Sequence, residues 1–208
     1  MASVASPYGL KPVNELGGTP YAGATRTYLI DPAGTAANIY NGSPVYVNAS
    51  GYLAVATATG ADATTNGFPT GTANTGIVGV FVGCSYINAQ GQVIYAQYYP
   101  TGTTGVINAY VVDDPGVVFQ VQSAGSVTQA ALGANVFFST GAVATGSTST
   151  GNSTASVVAG SSAVTTTAAF RVVGFVNMQG FSVVGDAYTD ILVKINPGYH
   201  SFTNAVGL

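Results

Sequence analysis

The sequence offers almost no material for an α-helix. Stable helices need runs of Ala, Leu, Glu, Lys, Gln and Arg, with apolar residues repeating about every 3.6 positions. In these 208 residues Lys and Arg together number only four, and 28 Gly and nine Pro interrupt nearly every ten-residue window. Only residues 128–136 predict a short helical turn. The chain must therefore build its core from strands.

Strand signals are abundant. Short segments rich in Val, Ile, Thr, Tyr and Phe are bounded by clusters of Gly, Asn, Pro and Ser, the usual pattern of strands and turns. Many short strands of this kind predict an all-β fold, either a β-barrel or a sandwich. The predicted strands cover residues 26–30, 44–48, 52–57, 76–83, 92–99, 106–112, 117–122, 135–138, 156–159, 169–176 and 189–195.

Residues 1–25 differ from the rest and predict an extended N-terminal arm. Pro7, Pro12 and Pro20 exclude a helix or a central strand there. The segment is nevertheless too apolar for a solvated tail, so we expect it to dock, either on its own β domain or on a neighbouring subunit. A poorly ordered terminus is the alternative. The residues expected to form this arm interface are Pro7, Tyr8, Leu10, Pro12, Val13, Leu16 and Tyr21.

The β domain, residues 26–208, contains an approximate internal repeat. Each copy reads as a hairpin, a polar loop and a strand with a central glycine, which is Gly79 in the first copy and Gly174 in the second. A glycine inside a strand indicates a bulge or a close backbone approach. The pattern predicts two related β units, 38–122 and 128–200, with chance similarity as the alternative.

Two stretches of low complexity interrupt the strand pattern. Residues 57–76 are rich in Thr, Ala, Gly and Asn, and residues 139–168 are almost entirely Ser, Thr, Gly, Ala and Val. We expect both to be exposed loops or irregular hairpins that polar side chains keep solvated.

Charged residues are scarce, and this scarcity argues against several classes of function. Four basic residues cannot form the footprint that nucleic acid requires. One His, one Cys and seven carboxylates leave little for a metal site, a cofactor or acid–base catalysis. We therefore expect a protein that is not an enzyme, with no catalytic residues, metal or cofactor.

The single cysteine, the N-terminal sequence and the length of the apolar runs indicate the cellular compartment in which the protein is made. The single Cys84 cannot form an intramolecular disulfide. No signal peptide is recognisable at the N-terminus, and no apolar run is long enough to predict a membrane helix. These features predict a protein made in the cytoplasm without membrane contact.

The residues able to do chemistry are better explained as structural. Asp113–Gly116 reads as a turn in which Asp side chains cap main-chain amides. Asp186 and Asp190 are expected in a turn that leads into a strand, His200 at the surface or an interface, and Cys84 as a small buried residue. Several of the 13 tyrosines are expected at protein interfaces, because Tyr combines a large apolar area with one polar group. Sugar binding is the rival use of exposed Tyr.

At two places the chain resembles proteins of tailed bacteriophages. The opening segments 6–14 and 17–23 resemble small structural proteins of podovirus-type marine phages. The pattern Asn41-Gly-Ser-Pro-Val-Tyr-Val47, followed by Gly51-Tyr-Leu53 and Val78-Gly-Val80, resembles the β-rich cores of phage head decoration proteins. Such proteins are usually homotrimers on the outer capsid surface, where they clamp neighbouring major capsid protein subunits.

The resemblance implies a virion structural protein. We expect a capsid decoration (cement) protein that binds the major capsid protein and itself, assembled in the host cytoplasm and located on the capsid surface. The alternative is a tail, head–tail or fibre-type protein for host attachment, with residues 139–168 as the receptor surface. A secreted glycan-binding or hydrolytic β protein is a third, weaker reading, since no export signal or carboxylate pair is visible.

Overall fold

A computed structural model describes residues 4–33, 35, 37–56, 76–139, 145–158 and 168–203. The described residues contain strands and two short 3-10 turns but no α-helix, which confirms the all-β prediction. The strands are β1 (Lys11–Glu15), β2 (Arg26–Ile30), β3 (Pro44–Val47), β4 (Leu53–Val55), β5 (Gly79–Ile87), β6 (Val93–Ala96), β7 (Ile107–Val112), β8 (Val117–Gln122), β9 (Asn135–Val136), β10 (Phe170–Phe175) and β11 (Asp190–Ile195); the 3-10 turns are Gln129–Ala131 and Pro197–Tyr199.

The strands form two antiparallel sheets packed as a sandwich. The first sheet has the order β1-β8-β11-β10-β9, and the second has the order β2-β7-β5-β3-β4. Strand β6 pairs with the second half of β5, along the stretch that β3 does not cover. Neither sheet closes in the described part of the chain, so the sandwich is correct and the barrel is not.

One hydrophobic cluster lies against the inner face of the first sheet. Phe119, Phe170 and Ile191 are among its fully buried members, and Val80 and Val112 join it from the second sheet. Because successive side chains of a strand point to opposite faces, these alternating apolar positions are what the sheet buries.

A second cluster lies on the other face of the second sheet. This sheet curls, so that its two end strands, β2 and β4, contact each other. The curl encloses Phe81, Cys84, Ile107 and Val111, and Tyr99 packs against them. The second sheet is therefore buried on one face along β2, β5 and β7, and its other face is covered only in part.

Most predicted strands are present, with two differences. Strand β1 was not predicted, although the prediction excluded only a central strand at Pro12, and β1 is an edge strand paired with β8. Residues 156–159 do not form a strand in the described part: Val157 makes only isolated bridges to Ser123 and Phe138. The predicted helical turn at 128–136 is shorter than expected, a 3-10 turn at Gln129–Ala131 followed by β9.

The expectation of an exposed loop at 139–168 is wrong for much of residues 151–158, whereas residues 145 and 148–150 are exposed as expected. Ser153, Ala155 and Val157 are fully buried. The small side chains of this stretch fit a narrow space beside the core, where composition alone suggested solvent. Residues 57–75, 140–144 and 159–167 lie outside the described residues; they hold nearly all of the first low-complexity stretch and just under half of the second.

The two predicted repeat copies use the same strand pairing. In the first copy β3 pairs with β5, which in turn pairs with β7. In the second copy β9 pairs with β10, which in turn pairs with β11. The glycines match the predicted reasons: a Cβ on Gly79 would overlap the main-chain oxygen of Val112, and Gly174 lies at a register shift between β10 and β11. The hairpin turn predicted for the second copy falls in the undescribed residues 140–144.

Candidate functional surface

The N-terminal segment lies on its own β domain. The Ser6 amide donates to Gln122 Oε1 at 2.7 Å, and Gln122 Nε2 donates to the Val4 carbonyl at 3.2 Å. The Tyr8 hydroxyl donates to Asp190 Oδ1 at 2.6 Å, and Leu10 is buried in the first cluster. These contacts hold the segment across β8 and β11 before it enters the first sheet as β1.

The contact between Tyr8 and Asp190 joins a half-buried phenol to a buried carboxylate. Burial raises the pKa of Tyr8 well above its usual value, and the hydrogen bond and negative charge of Asp190 raise it further. The phenol therefore remains a donor at any physiological pH. Lys11 Nζ lies 4.3 Å from the centre of the Tyr8 ring, so a cation covers its face.

The structure separates the predicted arm residues into two groups. Leu10 is buried, and Pro7, Tyr8, Pro12 and Tyr21 are half-buried. Val13 and Leu16 are exposed: Val13 because odd-numbered residues of β1 point away from the sandwich, and Leu16 because it lies just beyond the end of β1. Of the predicted arm residues, only Val13 and Leu16 therefore present an exposed apolar side chain to an external partner.

Asp113 is the centre of the one ion pair described in the structure. Its Oδ2 receives the Tyr28 hydroxyl at 2.8 Å and lies 2.9 Å from Arg26 Nε. The next residue, Asp114, accepts the Gly116 amide at 2.7 Å through Oδ1, which confirms the predicted turn. Burial raises the pKa of Tyr28, and the bond to Asp113 raises it further. The two carboxylates thus fix β2 and the 113–116 turn in place.

An open cleft of about 650 Å³ lies beside this ion pair. Ala24–Arg26, Asp113–Pro115 and Phe202 line it, and the Arg26 guanidinium lies 4.9 Å from the centre of the Phe202 ring. Its charged groups are already engaged with each other or with the main chain. The cleft therefore lacks a free acid and base side by side, which general acid–base chemistry would need.

The prediction that His200 lies at the surface or an interface is wrong. His200 is fully buried, because the 3-10 turn Pro197–Tyr199 directs it inward beside Ile77, with which it forms a parallel bridge. Its Nδ1 accepts the Phe202 amide at 3.2 Å. Burial lowers the pKa of His200, while the main-chain carbonyl and charge of Asp113 oppose this shift.

Cys84 and Asp186 have the structural roles predicted for them. Cys84 is buried, its Sγ lies 3.6 Å from the Tyr98 carbonyl oxygen, and burial raises the pKa of its thiol to about 12. A thiol with so high a pKa is not a nucleophile at neutral pH. Asp186 closes a turn by accepting the Val183 amide through Oδ2 at 2.9 Å.

An uncharged, largely apolar surface covers the outer face of the second sheet. Tyr95 pairs with Ser85, Ser85 with Asn108, and Asn108 with Leu29, so these residues form one row across four strands. Beside Tyr95 and Ser85, the pair Val93–Ile87 lies on the same face. We call this surface the neutral face; it consists of Leu29, Ile87, Val93, Tyr95 and Asn108, together with Ser85, which lies in the same row but is itself buried.

The apolar side chains of the neutral face are well exposed. Val93 and Ile87 are each 59% exposed and Tyr95 is 77% exposed, while Val106 just before β7 is also open to solvent. From position 76 to position 112 the chain has no charged residue at all. Exposed apolar side chains grouped on one sheet face, with one aromatic and no charges, are typical of a surface that binds another protein.

Sequence reasoning did not identify the neutral face. It placed the interface on the arm and on tyrosines it did not specify, although the alternation of Val93 and Tyr95 was visible in the predicted strand 92–99. The face becomes apparent only from the pairing register, which shows that the apolar residues of three strands share one side. The sequence does not indicate which face of the second sheet packs against the hydrophobic core, and that choice decides which apolar residues are left exposed.

Two further features are absent from the described residues. No group of three or more His, Cys, Asp and Glu side chains is placed to bind a metal ion there. No helix in that part of the chain has the length and hydropathy needed to cross a bilayer. A scan against protein-family models and searches of the curated proteins and the solved structures find no match to this chain.

Proposed function

We propose that this chain is a non-enzymatic structural protein of a virus particle, a capsid decoration protein that binds the major capsid protein. The observation that carries the proposal is the neutral face, with its exposed Leu29, Ile87, Val93 and Tyr95. Burying such a face releases water from apolar area and removes no charge from water, so association gains about 25 cal/mol per Å² without the desolvation penalty of ions.

The exposed side of β1 supports the same proposal. Val13 and Leu16 remain free for a partner, while the other predicted arm residues hold the segment on the domain. In this proposal the arm is a fixed ridge beside the first sheet and adds two apolar contacts. Each contact is small, but repetition over a shell multiplies its effect.

The test is binding to capsids of the phage whose genome carries this sequence. Particles stripped of the chain are mixed with the purified protein, and the bound copies are counted by stained gel and located in a density map. We expect many copies over the shell. A few copies at one vertex would favour the tail or fibre-type alternative, and absence from the particle would overturn the proposal.

A charge placed on the neutral face tests the surface itself. Leu29→Lys lies three strands away from β6 and puts an ammonium into the proposed contact, so we expect capsid binding to weaken at least tenfold, which corresponds to about 1.4 kcal/mol. Phe181→Lys is the matched control, because Phe181 is also exposed but lies outside the neutral face. Equal binding by both variants would exclude this face.

A further inference from the structure

We propose that β6 joins two copies of this chain, by antiparallel pairing of its open edge with the same edge of a second copy about a two-fold axis. The inference stands on the edge geometry and does not require the capsid function. It names the residues in contact and their register.

The open edge of β6 presents the main-chain groups of Val93 and Tyr95. In an antiparallel pair, residues alternate between positions bonded to the neighbouring strand and positions whose main-chain groups point away. The hairpin begins with a bonded position, since the Asn88 amide donates to the Gln92 carbonyl at 2.9 Å. The bonded series continues through Tyr86–Ile94 and Cys84–Ala96, which leaves the N–H and C=O groups of Val93 and Tyr95 directed outward.

Other edge strands carry charges, a proline or a register shift, or are shorter than β6, which has four residues and none of the first three features. Strand β1 contains Lys11, Pro12 and Glu15 and a register shift, and β2 begins with Arg26. Strands β4 and β9 have only three and two residues. Charges, prolines, bulges and short length are the usual means by which proteins protect an edge. The sequence of β6, Val-Ile-Tyr-Ala, has no charge, no proline and no register shift in its pairing with β5.

A second copy is the occupant that fits this edge best. Strand β6, its neighbours β5 and β7 and the loops between them are uncharged, so two identical surfaces meet without repulsion, although each chain carries a net charge of −3. A charged partner strand would find no complementary group on this edge. Identical partners related by a two-fold axis also present the same strand in the antiparallel sense.

The register follows from the outward groups. With Ile94 on the axis, Val93 of each copy lies opposite Tyr95 of the other copy. Both residues then exchange main-chain hydrogen bonds with their partners, and the β-branched and aromatic side chains meet on one face, a favourable cross-strand pair. The two neutral faces become one continuous surface. Because such a contact closes after two copies, it produces dimers or links larger assemblies in pairs.

The decisive test is the mass of the whole protein measured by light scattering over a range of concentrations. We expect an even number of chains for the wild type and half that mass for Tyr95→Pro, because proline removes an outward N–H that β5 does not use. Tyr95→Thr is the matched control: it keeps the N–H and replaces the aromatic ring by a β-branched side chain that suits a strand, so pairing should persist with lower affinity.

A second measurement does not depend on the proline variant folding. In the wild type, the amides of Val93 and Tyr95 should exchange slowly with deuterium at high concentration and quickly on dilution, while the Ile94 amide remains protected in both. A wild-type monomer at every concentration, an unchanged mass for folded Tyr95→Pro, or rapid exchange at Tyr95 in the assembled protein would each overturn the proposal.

Discussion

At the scale of single residues, the chain's one histidine, His200, makes the stability of the fold depend on pH. The neutral ring accepts the Phe202 amide through Nδ1, and a protonated ring could not. The charged groups whose fields act on it are Asp113 and Asp114, which favour protonation, and Lys194, which opposes it; burial outweighs the carboxylates and lowers the pKa.

We therefore predict that the protein loses stability in mild acid. In the unfolded chain His200 takes up a proton near pH 6.5, whereas in the folded chain it does so only at lower pH. The free energy of unfolding therefore has its full contribution from the neutral His200 above pH 6.5. It should fall below that value by up to about 1.4 kcal/mol per pH unit, until the folded protein also becomes protonated. Urea unfolding between pH 7.5 and 5 measures this slope.

The control is His200→Gln, whose amide oxygen can still accept the Phe202 amide and whose side chain does not titrate. Its unfolding free energy should be flat over the same range, since carboxylates titrate mainly below pH 5. Equal slopes for the variant and the wild type would show that another group is responsible.

At the scale of elements, β1 depends on a few polar contacts. We predict that Tyr8→Phe destabilises the protein by about 1–3 kcal/mol, because the buried carboxylate of Asp190 loses its hydroxyl donor. Amides of β1 should also exchange faster with deuterium. Tyr95→Phe is the control, since that exposed hydroxyl has no described partner, and it should leave thermal unfolding unchanged. Comparable losses in both variants would contradict this reading.

The same contacts change how the arm can be studied. Removing residues 1–25 would take Leu10 out of the core and expose the edge of β8 as well as removing Val13 and Leu16. Such a truncation would therefore change folding as well as partner binding. Point substitutions at Val13 and Leu16 test partner binding alone, because these two side chains are exposed.

Strand positions could be predicted because alternation and turn residues are local signals. The Asn48–Gly51 turn, for example, needs a residue with positive φ, and Gly51 supplies it at +82°. Strand β1 was missed because Pro7, Pro12 and Pro20 suggest an extended arm without pairing, and only the contact with β8 makes residues 11–15 an edge strand. His200 was misplaced for a similar reason: its burial depends on Ile77, more than a hundred residues away.

At the scale of the whole molecule, charge is concentrated away from the neutral face. We predict that association through this face, with itself or with a capsid, changes little between 0.05 and 0.5 M NaCl. Contacts between exposed charges are screened over this range, whereas apolar burial is not. Sedimentation at both salt concentrations measures it. A tenfold weakening at high salt would show that charged residues such as Arg26 or Lys11 carry the contact.

The strand order of the first sheet also has a consequence for biosynthesis. Strand β8 lies between β1, near the start of the chain, and β11, near its end. A ribosome adding roughly 5–20 residues per second needs several seconds to travel from Gln122 to Asp190. During that interval β8 can pair with β1, but its other side has no partner. Nascent chains growing side by side on one messenger would be most exposed to mispairing in that window, so slower translation of this gene should reduce the yield of folded protein.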